Sequence, residues 1–158
     1  MLTSLNRLTG LPVRFKDREM GYVERAVADW RQMRLFGLVV RKGFGNARWS
    51  PADSIARAGR HSVEVSQCPV RMPETMREAS RLAVFAPDGY AGRICDALLY
   101  SDTLRIAALE ISRGPLYRLL GYCAYATQYQ QRTDGELLVP KLLSWAQIRT
   151  QLGEGGVP

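Results

Sequence analysis

The sequence predicts an all-β protein, two tandem small β-barrels with a C-terminal helix. Three observations predict it. A stretch near the N-terminus recurs 71 residues later. Within each copy, apolar and polar residues alternate at the period of a half-buried strand. The alternating runs are short and closely spaced by turns, which is the pattern of a small barrel or sandwich. The repeat sets Leu11–Val40 against Leu82–Ile111. Val13/Val84, Asp17/Asp88, Gly21/Gly92, Ala26/Ala97 and Leu38/Leu109 are identical, and Val23/Ile94, Val27/Leu98, Met33/Leu104, Leu35/Ile106 and Val40/Ile111 exchange one apolar side chain for another. Self-similarity at a fixed offset determines the architecture before any single element does.

In chain order, Met1–Thr9 is a lead-in whose Leu2, Leu5 and Leu8 have helix-like spacing. Val13 and Phe15 alternate with Pro12, Arg14 and Lys16 as the first strand, and Leu82, Val84 and Ala86 do the same in the second copy. A polar turn follows. Asp88-Gly89 is a strong hairpin signal because Gly accepts positive φ; Asp17-Arg18 lacks the Gly, which predicts a different turn type. Gly21 and Gly92, each four residues after the aspartate, suggest a β-bulge or a close backbone approach. Strand two is placed at 22–28 and 93–99, strand three at 35–40 and 106–111. In the first copy a loop, 41–48, leads to Trp49-Ser50-Pro51, Gly59 and a strand at 62–65. In the second copy, 112–139 stands where the first has 41–50, and the tyrosine-rich insertion is bounded at 113–131. Asp134-Gly135 then turns into a fourth strand at 136–139. Lys141–Leu152 reads as a helix closed by Gly153, with Leu142, Trp145, Ile148, Arg149 and Leu152 near one face. The domain boundaries follow: a first barrel at 1–66, a linker at 67–80 with a helical turn expected over 74–79, and a second barrel at 81–152. The segment 154–158 is expected to be a frayed tail.

The run L-x-V-x7-G-x-V/I, a polar turn, a Gly-Leu-Val-Val strand at 37–40 and the Pro51-x3-Ile55 element resemble the PRC-barrel domain. That family includes the photosynthetic reaction-centre H subunit and the C-terminal domain of the ribosome maturation factor RimM. The resemblance covers about 5–66, and more loosely 80–146, where Leu138-Val139-Pro140 stands in for the proline element. It implies an assembly or accessory module and carries over no catalytic residue.

Composition narrows the function classes. With 46% apolar and 23% charged residues the chain is globular. No apolar run is long enough for a transmembrane helix and the N-terminus lacks a signal peptide's apolar core, so a cytoplasmic protein is expected. The net charge of +7 sits entirely on residues 1–71, where 13 Lys+Arg face 6 Asp+Glu. Such asymmetry suits an acidic partner, RNA among them, or a solubilising surface. Cys68, Cys95 and Cys123 are widely spaced with no C-x-x-C pair, so neither a disulfide framework nor a metal site is expected, and no cofactor. The single histidine, His61, has no triad or metal-ligand spacing around it. Asp17 and Asp88, like Gly21 and Gly92, are assigned to the repeat's turn geometry, and no catalytic residue is assigned.

Two candidate surfaces remain. Phe44, set among Arg41, Lys42 and Arg48, offers a stacking ring between cations, a constellation for nucleic acid, though Phe44 is also a candidate plug for the barrel end. Tyr117, Tyr122, Tyr125 and Tyr129 lie in the insertion and offer a protein interface or a second core, on a helix face or along a strand. The leading expectation is a non-enzymatic adaptor docking onto a larger protein assembly or onto its own copy, with no small-molecule substrate. The alternative is an RNA-processing or ribosome-maturation factor contacting rRNA through the basic first barrel. A peripheral membrane role is disfavoured by the absence of the reaction-centre subunit's membrane helix.

Overall fold

The computed structural model describes residues 1–74, 82–132 and 135–153. Half of the described residues are in strands and 14% in helices, arranged as two curled, barrel-like sheets with a short C-terminal helix. There are two compact units. The first comprises Thr3–Ala79 and Leu99–Arg105; the second comprises Met1–Leu2, Ser80–Leu98 and Ile106–Pro158. The tip of the second copy's long hairpin thus groups with the first unit, where Leu35 N–H donates to the Leu104 carbonyl at 2.8 Å and Arg34 bridges Arg105.

The chain opens with β1 (Leu2–Ser4) and one helical turn, α1 (Leu5–Leu8), so the leucines at 2, 5 and 8 divide between strand and helix. Ser4 Oγ caps the turn by accepting the Arg7 N–H at 3.1 Å. The first unit then builds β2 (Pro12–Phe15), β3 (Arg18–Asp29), β4 (Arg34–Arg41), β5 (Arg48–Pro51), β6 (Ile55–Ala58), β7 (Val63–Val65) and β8 (Val70–Arg71). Its sheet runs β6-β7-β2-β3-β4-β5-β8. The second unit builds β9 (Ala83–Ala86), β10 (Gly89–Tyr100), β11 (Ile106–Ser112), the short helix α2 (Pro115–Leu119), β12 (Ala124–Ala126), β13 (Gln130–Gln131), β14 (Leu137–Leu138) and α3 (Trp145–Leu152). Its sheet runs β12-β11-β10-β9-β14-β13.

The repeat holds to the residue. Pro12, Val13, Arg14 and Phe15 pair with Tyr22, Gly21, Glu19 and Arg18; at the 71-residue offset Ala83, Val84, Phe85 and Ala86 pair with Arg93, Gly92, Tyr90 and Gly89. Each hairpin carries one bulged residue, Met20 or Ala91, beside the repeated glycine, as the sequence suggests. Gly21 (φ +131°) and Gly92 (φ +137°) are also close approaches. A Cβ at either would lie 2.5 Å from a backbone oxygen, of Arg41 or of Ser112, which are again 71 residues apart. Met33 (φ +50°) and Leu104 (φ +59°) adopt the same rare left-handed backbone and are both buried. The turns differ as expected: Lys16 and Asp17 both have positive φ, as a type I′ turn requires, whereas Pro87-Asp88 hands the positive φ to Gly89. Buried pairs match too: Val13/Val84, Val23/Ile94, Leu38/Leu109 and Val40/Ile111. Each such side chain contributes about 1.5–3 kcal/mol on burial.

Three sequence expectations need correction. The fourth strand of the second copy is β12, inside the segment read as an insertion, and not 136–139. Leu109, Glu110 and Ile111 pair with Ala126, Tyr125 and Ala124, as Leu38, Val39 and Val40 pair with Ser50, Trp49 and Arg48. The 136–139 segment supplies instead the missing last strand: Leu137 pairs in parallel with Val84, as Val63 does with Val13. Matching Pro51 to Pro140 therefore misaligned the copies, and the true excess is five residues, within the 113–123 connection that replaces the 42–47 loop. Finally, α3 begins at Trp145 and not Lys141. Leu143 is held extended by two backbone bonds to Tyr125, at 2.7 and 2.9 Å, just as Val70 pairs with Trp49. The helix starts only after Ser144, whose side chain forms a reciprocal capping box with Gln147. Part of the expected linker is likewise strand, β8. The helical turn expected over 74–79 falls, apart from Glu74, outside the described residues, as do Asp134 and the tail 154–158.

The terminal helix covers the second unit by inserting Ile148 against Leu98 and Ala108, with Tyr125, Leu143 and Leu152 around them. Trp145 lies on Tyr125 with ring centroids 5.3 Å apart, while Arg149 is exposed. In the first unit the position of Ala108 is Gly37, because the Trp49 ring fills the space a Cβ there would need. A smaller Tyr at 125 leaves room for the alanine.

Candidate functional site

The strand-three-to-strand-four connections carry the candidate surfaces of both units. In the first unit this is the 42–47 loop. Arg41 does not project freely. Its Nε and Nη2 meet the Glu24 carboxylate at 2.9 and 3.3 Å, and Nη1 donates to the Gly45 carbonyl at 2.8 Å. The fork of one guanidinium thus shapes the loop in which the sequence suggests a phosphate contact. Phe44 is fully exposed and does not plug the barrel end. Lys42 and Arg48 are exposed as well. Arg48 lies directly opposite Arg71 across β5 and β8. Like charges in that position repel, and an anion between them would relieve the repulsion. Asp17 and Asp88 sit in the hairpin turns.

In the second unit the corresponding connection is 113–123. Ser112 Oγ tethers its start, donating to the Gly114 carbonyl at 2.8 Å. Pro115 opens α2, where its missing N–H costs nothing. Gly121 (φ +78°) closes the helix: its N–H donates to the Arg118 carbonyl at 3.1 Å, and Tyr122 N–H donates to the Tyr117 carbonyl at 2.8 Å. This Schellman pattern folds Tyr122 back alongside Tyr117. Leu116, Leu119 and Leu120 share the other face at i, i+3 and i+4 spacing. No residue of α2 is buried. Leu116 is 64%, Leu119 84% and Tyr122 70% exposed, and Tyr117 and Leu120 are exposed beside them. Five exposed apolar side chains within seven residues make this connection an apolar patch.

The four tyrosines singled out in the sequence do not form one surface. Tyr117 and Tyr122 belong to the patch. Tyr125 is half-buried in β12 under Trp145. Tyr129 lines a separate open cleft of about 460 Å³ with Phe85, Pro87, Leu138 and Pro140.

A third cluster is not visible in the sequence. Cys95 Sγ, Cys123 Sγ and a Glu110 carboxylate oxygen lie within 4.8 Å of one another, all half-buried. The sheet makes this meeting. Glu110 is opposite Tyr125, and Cys123, two residues earlier, shares that face. Cys95 donates to the Glu110 carbonyl at 3.4 Å. Burial pushes the Cys95 thiol up to about 12, with the negative charge of Glu110 adding to it. Burial likewise raises Cys123 to about 11, helped by its hydrogen bond to the Glu110 side chain. Arg118 of α2 opposes both shifts. Cys68 is exposed and apart. Cys95 and Cys123 stand 28 positions apart in the sequence, so it is strand pairing that reveals the cluster. Aligning Trp49 with Tyr125, in place of the two prolines, would have pointed to it.

Among the described residues no helix is long and apolar enough to cross a membrane. The chain matches no family model and no curated protein.

Proposed function

We propose that this protein is a non-enzymatic adaptor of PRC-barrel type that docks onto a partner protein through the α2 connection, in the cytoplasm. The observation that carries the reading is the five-residue helix with no buried residue and three exposed leucines at or beside it. So short a helix gains little from its own hydrogen bonds and persists in water only marginally. Its apolar face is stabilised when a partner covers it. The patch is flanked by Arg113 and Arg118, and no acid occurs between Ser112 and Thr133. A partner with an apolar groove rimmed by carboxylates fits this distribution. The twin connection, 42–47, has no such helix, so the patch is an addition to the repeated frame.

The test is recovery of the protein with its partners from its native cell, with and without nuclease. The triple variant Leu116→Ser/Leu119→Ser/Tyr122→Ser is expected to keep the wild-type melting temperature and lose a nuclease-resistant protein partner. Equal recovery by both forms contradicts the reading. A second reading, contact with rRNA through the first unit, is favoured by the opposed Arg48 and Arg71 and by the exposed Phe44 in the loop that leads to Arg48. It requires recovery that is nuclease-sensitive, falls steeply with salt, and is lost in Lys42→Glu/Arg48→Glu.

A further inference from the structure

We propose that Cys95, Glu110 and Cys123 bind one zinc ion. The three donor atoms come from three neighbouring pieces of backbone: the middle of β10, the second half of β11, and the last residue of the connection before β12. They already lie within 4.8 Å of one another. In a tetrahedral site with Zn–S near 2.3 Å, two sulfurs stand roughly 3.8 Å apart. Closing the cluster onto an ion therefore takes about 1 Å of side-chain adjustment and no movement of the sheet.

The two units differ at these positions in a way that points to a cation. The first unit has Glu24, Val39 and Ala47 where the second has the three donors. There Glu24 is neutralised by Arg41, and Val39 is buried apolar packing. The second unit replaces the valine with a carboxylate, replaces the other two with thiols, and has Ser112 where the arginine stood. A half-buried carboxylate beside two half-buried thiols favours a cation, and the chain itself brings Arg118 near them, though without the bidentate pairing that Arg41 gives Glu24. A divalent ion restores the balance that Arg41 provides in the twin.

The donor set selects the metal. Two sulfurs exclude calcium and magnesium, which take oxygen ligands, and zinc accepts mixed sulfur and oxygen sets. Binding releases one proton from each thiol, so that Zn²⁺, two thiolates and one carboxylate make a site of net charge −1. Arg118 faces it, itself 3.9 Å from Asp96. Three protein ligands leave the fourth position to water. Because Cys123 ends the connection, the ion would pin the base of α2 to β10 and β11. This holds whatever α2 docks.

The experiment uses the full chain, reduced with a phosphine and titrated with zinc chloride against a chromogenic chelator, and with cobalt(II) as an optical probe of thiolate ligation. One equivalent of zinc, a thiolate-to-cobalt charge-transfer band and a raised melting temperature are expected. Cys68→Ser should retain all three. Cys95→Ser and Cys123→Ser should each weaken zinc roughly 100-fold or more, and Glu110→Val, which installs the twin's residue and keeps the sheet, roughly tenfold or more. Absence of the band and of a melting shift in the wild type overturns the proposal, whatever the variants do. So does binding that survives in Cys95→Ser and Cys123→Ser, or a Cys95–Cys123 disulfide formed in air with no zinc uptake after reduction.

Discussion

Replacing Gly92 by alanine tests the geometry that defines the repeated unit. The glycine sits at φ +137°, and an added Cβ would stand 2.5 Å from the Ser112 oxygen and 2.7 Å from the Ser112 carbonyl carbon. Backbone in that region costs a non-glycine residue about 1–3 kcal/mol. Forcing two strands apart at a fixed backbone contact adds roughly 1–3 kcal/mol, by analogy with overpacking. Gly89 separates the two contributions: its φ is +123°, yet among the described residues nothing lies within 4 Å of where its Cβ would stand. Gly89→Ala should therefore carry only the conformational cost. For a unit of this size each kcal/mol moves the melting temperature by roughly 4–8 °C. Calorimetry is expected to show Gly92→Ala melting at least about 10 °C below the wild type and clearly below Gly89→Ala. Equal shifts for the two variants would refute the close approach as the reason for the repeated glycine. Gly21→Ala, facing the Arg41 carbonyl, should reproduce the larger loss.

Ser50 Oγ is buried without a hydrogen-bond partner among the described residues, and its counterpart in the second unit is the equally buried Ala126. Ser50→Ala is accordingly expected to leave stability unchanged or raise it by up to about 1 kcal/mol, and a loss in denaturant melts would show that the hydroxyl is satisfied after all. Ile148 is fully buried under α3, so Ile148→Ala should cost about 2–5 kcal/mol and Ile148→Val about 0.5–1.5; a cost below about 1 kcal/mol for the alanine means that the helix is not packed as described. The raised Cys95 and Cys123 thiols favour the neutral form in the fold. Their stabilisation is complete below the ordinary thiol range and is lost as pH rises through about 11 to 12. Metal-free protein should thus lose stability from about pH 9 upward, less so in Cys95→Ala. At about pH 8, just below the ordinary thiol range, an alkylating reagent should modify exposed Cys68 well before the other two, and equal rates at all three would contradict their burial.

The parts of this fold visible in the sequence are those that recur at one offset. Gly21 and Gly92, Met33 and Leu104, and the paired apolar positions each answer a backbone or packing demand made twice. Composition and periodicity are enough to find such demands. What escaped was made by pairing between distant segments. β12 is three residues of ordinary composition, recognisable only by its register on β11. Leu143 is extended because Tyr125 holds it, although its surroundings read as helix. Two prolines made an attractive but false anchor, since Pro51 ends β5, the partner of β4, and Pro140 follows β14, the last strand of its sheet in chain order. The candidate surfaces divide in the same way. The exposure of Phe44 and of the α2 leucines agrees with their apolar residues standing in connections, whereas the ion pair that occupies Arg41 and the meeting of Cys95 with Cys123 depend on the sheet.

The adaptor reading is tested most directly by a photo-crosslinking residue placed at Leu119, with the same residue at Phe44 as the comparison, each activated in the native cell. The account predicts a discrete protein adduct at position 119 that survives nuclease, with none of comparable yield at position 44. Crosslinks to RNA at position 44 and no protein adduct at position 119 would contradict it.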